Sequence, residues 1–191
     1  MERSIRDSFQ GTIRQAQPSD IEAIIAIEEE SFAPEERYEK KLLNTFLSAS
    51  LKSQGVVMLI ATPDSETKSP AGYVLAEIEY NGSGESFGVA DGSGEIISLA
   101  VAKTHEGHGL GRALLERVSK SLQEAGADRL VLQVRVDNAS AIHLYESVGF
   151  VKERLLTKFY EDQDGFEMVK PVEKKTAAPR RISAPRQAVP A

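Results

Sequence analysis

The sequence contains no cysteine, which removes at once a disulfide framework, a thiolate metal site and a cysteine nucleophile. It also lacks any apolar run approaching the roughly 20 residues that span a bilayer, and Met1 to Gln10 is a charged stretch without the apolar core of a secretory signal. A cytoplasmic protein with no membrane partner is expected. Positive charge is not in excess: 23 Lys and Arg against 29 Asp and Glu leave a formal net charge of −6. The surface as a whole is therefore not built to hold nucleic acid, and any bound anion must be held locally. The fold must rest on packing alone, and 191 residues with 41% hydrophobic content suffice for one domain but not comfortably for two.

After Glu173 the composition changes. The closing stretch KKTAAPRRISAPRQAVPA carries five basic residues and three prolines, with no acidic residue and almost no large apolar side chain, so it cannot bury a core. Without interleaved aromatics to stack on bases it reads as a solvated tail rather than an RNA-binding arm. The expected organisation is a short N-terminal extension at 1–11, a folded domain at 12–172 and a disordered basic tail at 173–191.

Within the domain, Thr12 to Ala16 has strand character. Pro18-Ser19-Asp20 starts a helix whose buried side carries Ile21, Ile24, Ile25 and Phe32, and Pro34 opens a second helix. β-branched runs from Val56 to Ala61 and from Ala71 to Tyr80 predict two strands around the polar loop TPDSETKS. A glycine-serine loop, NGSGESFGVADGSG, then leads into a strand from Glu95 to Ala102. Leu110, Leu114, Val118 and Leu122 recur every four residues, which predicts an amphipathic helix from Gly109 to Ala125 stopped by Gly126. A strand from Arg129 to Val136, a short helix from Ala141 to Val148 ended by Gly149, and strands at Phe150 to Thr157 and Phe166 to Lys170 complete the chain. The order β-α-α-β-β-β-α-β-α-β-β is an α/β arrangement with a strand-helix-strand unit at its middle.

Between the strand ending at Ala102 and the long helix lies His105-Glu106-Gly107-His108-Gly109-Leu110-Gly111-Arg112. Glycine at alternate positions lets the backbone approach a bound group, and the helix that follows offers unpaired N–H groups at its positive end. This is the composition of a pyrophosphate cradle, although a merely tight turn would read the same way. A dinucleotide fingerprint would need glycine where Arg112 stands, and a Walker loop would need a Lys-Ser/Thr pair that is absent. His105 and His108 share the loop without a third ligand at plausible spacing, so no metal is expected.

A second motif follows at Asn138-Ala139-Ser140-Ala141-Ile142-His143-Leu144-Tyr145-Glu146-Ser147-Val148-Gly149-Phe150. Together the two resemble the GNAT superfamily of N-acetyltransferases. The loop is similar to its (Gln/Arg)-x-x-Gly-x-(Gly/Ala) pyrophosphate site, and the second stretch to its Asn-x-x-Ala-x-x-x-Tyr-x-x-x-Gly-Phe segment. Within the superfamily the wording of Val-Arg-Val-Asp-Asn-Ala-Ser-Ala and Leu-Tyr-Glu-Ser-Val-Gly-Phe is most like the RimI-type enzymes, the ribosomal-protein alanine and other protein N-terminal acetyltransferases. The resemblance implies the GNAT fold, a mixed central sheet of 6–7 strands with flanking helices. It implies acetyl-CoA as cosubstrate and transfer of its acetyl group, by direct attack in a ternary complex, to a primary amine. That amine is a protein or peptide N-terminus, or alternatively a lysine or small-molecule amine; a CoA-binding protein without turnover is the third alternative. A monomer or homodimer is compatible with it.

The resemblance also assigns roles. Backbone N–H groups of Leu99, Ala100 and Val101 would hold the acetyl carbonyl and pantetheine. Glu106, Gly107, His108, Gly109, Leu110 and Gly111 would form the pyrophosphate loop, with Arg112 as the charge partner for phosphate. Glu106 departs from the family's Gln or Arg, and its carboxylate must point outward. Asn138 and Ser140 would touch the cofactor, and Asn138 can equally cap the helix. Tyr145 would give a proton to the departing thiolate. Where RimI-like enzymes carry an acidic residue this chain has Gln133, which cannot take a proton. Glu95, where histone-acetylating relatives place their base, is the substitute. Phe32, Tyr38, Gln133, Phe159 and Tyr160 are expected to line the acceptor site, and Glu161, Asp162 and Asp164 to form either a cation-attracting cluster or a polar turn.

Overall fold

The computed structural model describes residues 9–52, 55–64, 69–78, 92–160 and 163–172. In chain order the elements are β1 (Gly11–Gln15), α1 (Ile21–Ser31), α2 (Lys40–Leu51), β2 (Val56–Pro63), β3 (Gly72–Ile78), β4 (Ser93–Val101), α3 (Leu110–Glu124), β5 (Arg129–Arg135), α4 (Ala139–Ser147), β6 (Val151–Tyr160) and β7 (Gln163–Pro171). This is the expected order. The extension at 1–8, most of the glycine-serine loop (81–91), Glu161, Asp162 and the tail at 173–191 lie outside the described residues.

The strands form one seven-stranded sheet in the order β1-β2-β3-β4-β5-β7-β6, and period-two alternation sends its side chains to two cores. On β2 and β3, Met58, Ile60, Tyr73 and Leu75 face α1 and α2, where they meet Ile24, Ile27, Leu43 and Leu47. Leu59, Ala61, Val74 and Ala76 face the other way, onto α3. There Leu114, Leu115, Val118 and Leu122 are fully buried, each such leucine contributing about 1.5–3 kcal/mol. Among the described residues no helix is long and apolar enough to cross a membrane.

Several boundaries differ from expectation, three of them for a clear local reason. Pro34 opens only a 3-10 turn, Pro34–Glu36, and the second helix begins at Lys40. The chain between them stays extended at Arg37 and Glu39, because Arg37 donates to the carbonyls of Phe32 and Glu29 and the Tyr38 N–H is taken by the Glu28 carboxylate. β4 starts at Ser93, inside the glycine-rich stretch, since a Cβ on Gly94 would press to 3.0 Å on Leu122; this glycine serves close packing, not a loop. α4 starts at Ala139, with the Asn138 side chain accepting the Ala141 N–H at 3.0 Å.

The sheet contains a single parallel pairing among the described strands, and it is short. β4 and β5 are in register only from Ser93↔Arg129 to Glu95↔Val131. Just beyond, β4 bulges: Leu75 faces Ser98 and Ala76 faces Ile96, so Ile97 is the extra residue. The β4–β5 ladder stops there, while the opposite edge of β5 stays paired with β7 along its whole length, from Arg129 to Arg135.

Candidate active site

The parting of β4 and β5 makes the cleft. From Ile96 to Val101 the edge of β4 toward β5 has no ladder partner, so its backbone groups need another. Leu99, Ala100 and Val101 lie on this edge. Their side chains are ordinary core, Leu99 and Val101 on the α3 side and Ala100 on the α1 side, which leaves the main chain as what they can offer a ligand.

At the end of β4 the chain makes a 3-10 turn, Lys103–His105, then Glu106 in extended conformation. Gly107 and Gly109 follow with φ of 74° and 76°, left-handed values that side chains disfavour. Gly109 is the N-cap of α3. Because the first internal bond of α3 runs from the Ala113 N–H to the Gly109 carbonyl at 3.0 Å, the N–H groups of Leu110, Gly111 and Arg112 precede the helical ladder. A Cβ on Gly107 would meet nothing within 4 Å, whereas one on Gly111 would lie 3.3 Å from Leu144 and 3.6 Å from Val101. The glycines thus have separate reasons: Gly107 and Gly109 give the loop its left-handed backbone, with open space at Gly107, and Gly111 lets α3 approach α4 and β4. The Leu110 side chain is buried in the core. Such a cradle fits a pyrophosphate held by main-chain donors at a helix start.

The charged residues of the loop behave differently from expectation in one respect. Glu106 and His108 are exposed. Arg112, expected as the phosphate partner, instead donates to the Ser147 hydroxyl at 2.8 Å and lies near Glu116, tying the start of α3 to the end of α4. Ser140 sits exposed in the first turn of α4. His105 shares a hydrogen bond with Thr104, and no group of three potential metal ligands occurs among the described residues.

On the other side of the cleft, three segments converge. Tyr145, on α4, is buried against Phe150 with ring centroids 6.1 Å apart, and burial pushes its phenol up to about 12. Tyr160, at the end of β6, is also pushed up to about 12, by burial first and then by Tyr145, Glu36 and Tyr38. Phe159 packs edge-on to Tyr160 at 5.0 Å and is half exposed. The hairpin makes this presentation by an irregularity between Leu156 and Tyr160, with Lys158 in the left-handed region and its N–H held by Asp164 at 2.8 Å. Gly165 is required opposite, since a Cβ there would come within 2.9 Å of the Tyr160 ring. Phe32 and Tyr38, from the α1–α2 segment, are half-buried against the α1-side core, Tyr38 edge-on to Phe46.

Gln133 and Glu95 line the same face. Leu130, Leu132 and Val134 point to the α3 side, so the alternation of β5 puts Gln133 and Arg135 on the opposite face, the α1 side of the sheet. Glu95 is half-buried in the last pair before the strands part and lies across from Glu77. Burial, then Glu28, Glu95 and Glu77, raise the Tyr38 phenol, so these three carboxylates surround the α1–α2 wall.

Sequence reasoning missed three residues here. Arg135 reaches Glu36 at 2.7 Å, Gln163 at 2.7 Å and Asp137 at 3.2 Å, clamping the α1–α2 segment to the final hairpin; Asp137 and Glu36 raise its already high pKa further. Arg135 and Glu36 are 99 positions apart, and nothing local marks them as partners. Glu28 is 2% exposed, with its pKa raised by burial. The run Glu28-Glu29-Glu30 resembles a solvated face, and only the four-residue step from Ile24 places position 28 on the buried stripe.

The comparisons agree with this geometry. The chain is 30% identical over 164 residues to an N-alpha-acetyltransferase of Saccharolobus solfataricus, covering 84% of this chain and 93% of that protein. It is 35% identical over 98 residues to the ribosomal protein bS18-alanine N-acetyltransferase of Escherichia coli, half of this chain and 66% of that one. In fold it is similar to a chain in the crystal structure of the NatC complex bound to Gag peptide and CoA, with TM-score 0.71 and 22% identity, covering 86% of this chain and 99% of that one. Residues 21–150 match the model described as the acetyltransferase (GNAT) family, and the chain belongs to that family.

Proposed function

We propose that this acetyltransferase moves the acetyl group of acetyl-CoA to the α-amine at the N-terminus of a protein or peptide. The observation that carries the reading is the parting of β4 and β5, with the glycine cradle on one side and the Tyr38, Tyr145 and Tyr160 face on the other. The N–H groups of residues 107–112 bind the pyrophosphate, and the unpaired edge of β4 at Leu99 to Val101 hydrogen-bonds the acetyl carbonyl and the developing oxyanion. The amine enters between the α1–α2 segment and the β6–β7 hairpin, the walls joined by Arg135. Glu95, directly or through water, takes the amine proton. As the C–N bond forms and the C–S bond breaks, the Tyr145 hydroxyl donates a hydrogen bond to the departing sulfur.

The names of the relatives support an N-terminal acceptor, and proton chemistry agrees. With Gln133 in place of an acid the site has a weak base. An α-amine with pKa near 8 is roughly one-tenth neutral at pH 7, whereas a lysine near 10.4 is about one part in a few thousand. The test is thiol release from acetyl-CoA against peptides with free and blocked N-termini, lysine peptides and polyamines. Release that requires the free N-terminus establishes the acceptor. Release with lysine or polyamine alone replaces it, and CoA binding without release replaces the enzyme with a CoA-binding protein.

A further inference from the structure

Beneath the acceptor face lies a carboxylate that the reaction scheme does not use. Glu28, near the end of α1, is 2% exposed, and both of its oxygens accept hydrogen bonds: Oε2 from the Tyr38 N–H at 2.9 Å, Oε1 from the Tyr73 hydroxyl. Tyr73 is wholly buried, and its hydroxyl is 2.7 Å from Ser98 Oγ. A phenol carries one proton. Since Tyr73 gives that proton to Glu28, Ser98 must donate to Tyr73, and the lone pairs of Ser98 are left for another donor. The direction of the whole chain is therefore set by the acceptor-only group at its end.

The chain ends on one side at Tyr38 and on the other at Ser98, which is 8% exposed and lies just past the last β4–β5 pair. Tyr38 is part of the α1–α2 wall. Ser98 follows the bulged Ile97, three residues past the last β4–β5 pair, on the α1-side face where the strands part. Burial raises the pKa of Glu28, and the hydrogen bonds from Tyr73 and Tyr38 and then the charge of Arg37 oppose that rise, so the partners that hold the network together also favour its polarity. Leaving such a group in the core without a local charge partner as close as its two hydrogen bonds is costly, which marks it as more than filler.

We propose that Glu28 is a positioning residue of the acceptor site: through Tyr38 it fixes the α1–α2 wall, and through Tyr73 it turns the Ser98 hydroxyl so that Ser98 accepts a hydrogen bond from the incoming amine. This rests on the amine-acetylation reading above. Glutamine is the informative replacement because it keeps the shape and breaks the polarity. Its single carbonyl can serve Tyr38 or Tyr73, not both. If the carbonyl serves the Tyr38 N–H, the amide donates to Tyr73, Tyr73 donates to Ser98, and Ser98 presents a proton to the amine. If it serves Tyr73, the amide faces the Tyr38 N–H donor to donor and the wall shifts.

The experiment measures KM for peptide and for acetyl-CoA in full-length Glu28→Gln and Ser98→Ala, with wild type assayed on the same panel of amines. Loss of a hydrogen bond to the amine or of its wall predicts a rise in peptide KM of roughly tenfold in both variants, with acetyl-CoA KM within about twofold of wild type. Unchanged peptide KM in both, or both KM values rising together, overturns the proposal. If Glu28→Gln does not fold, Ser98→Ala and Tyr73→Phe decide it, Tyr73→Phe being expected to raise peptide KM because it frees the Ser98 proton. Wild type that turns over no amine refutes the functional reading instead, and wild type that prefers another amine moves the same measurement to that amine.

Discussion

Tyr145→Phe tests how the leaving thiolate is stabilised. The change removes one oxygen and keeps the ring that packs against Phe150, so folding should be little affected. Burial holds the phenol at about 12, some 3–4 units above a thiol near 8.5. Full proton transfer from so weak an acid to a thiolate is uphill, and Tyr145 therefore acts as a neutral hydrogen-bond donor to the developing negative sulfur. A hydrogen bond to a charged group is worth about 1.5–3 kcal/mol, which corresponds to a loss in kcat of roughly 10- to 150-fold. The peptide KM should not move. Because the phenol remains protonated through pH 6 to 9, an interval chosen to span the titration of an α-amine near 8, the wild-type profile should show the amine's deprotonation and no alkaline decline from Tyr145. Steady-state thiol release over that interval makes the measurement. A kcat within about twofold of wild type would remove Tyr145 from the reaction. A loss of more than about 10³, at the upper part of the general-acid range, would show that the proton is fully transferred and that the hydrogen-bond argument is wrong.

Glu95→Gln should lower kcat by about 10²-fold while leaving CoA binding intact, checked by turnover beside a binding titration; unchanged turnover returns the base to solvent. Gly107→Ala places a side chain at φ of 74° without a steric clash, so the protein should fold with a penalty of about 1–2 kcal/mol. The acetyl-CoA KM should rise and the peptide KM should not. Asp20, 5% exposed, takes two hydrogen bonds from Arg14 and one from the Gln17 N–H. The Arg14 hydrogen bonds hold its pKa below the ordinary carboxylate value, with the Gln17 N–H and the Arg14 charge adding to them. A lowered folded pKa means this stabilisation is present above the unfolded value and is lost as pH falls through the folded one. Because Arg14 is partly exposed, Asp20→Asn should cost only about 1–2 kcal/mol at neutral pH. It should also flatten the acid limb of a plot of Tm against pH.

The sequence by itself determined whatever depends on neighbours along the chain. The four-residue spacing of Leu110, Leu114, Val118 and Leu122 specifies α3 and the side it buries. The near-continuous apolar runs of β2 and β3 specify strands covered on both faces. The glycines at 107 and 109 specify a backbone that side chains resist, and that loop together with Asn138 to Phe150 carries enough residue identity to show the family resemblance. Tertiary structure decided what depends on approach between distant segments. Glu28 looks solvated until Tyr38 and Tyr73 reach it. Arg135 gains its role only when Glu36 and Gln163 are brought to it, and Arg112 meets Ser147 only through the packing of α3 on α4. The cleft itself is of this kind: local propensity builds β4 and β5 alike as strands, and only in the assembled sheet does their pairing stop at Glu95↔Val131, next to the bulge at Ile97, while the far edge of β5 stays paired with β7.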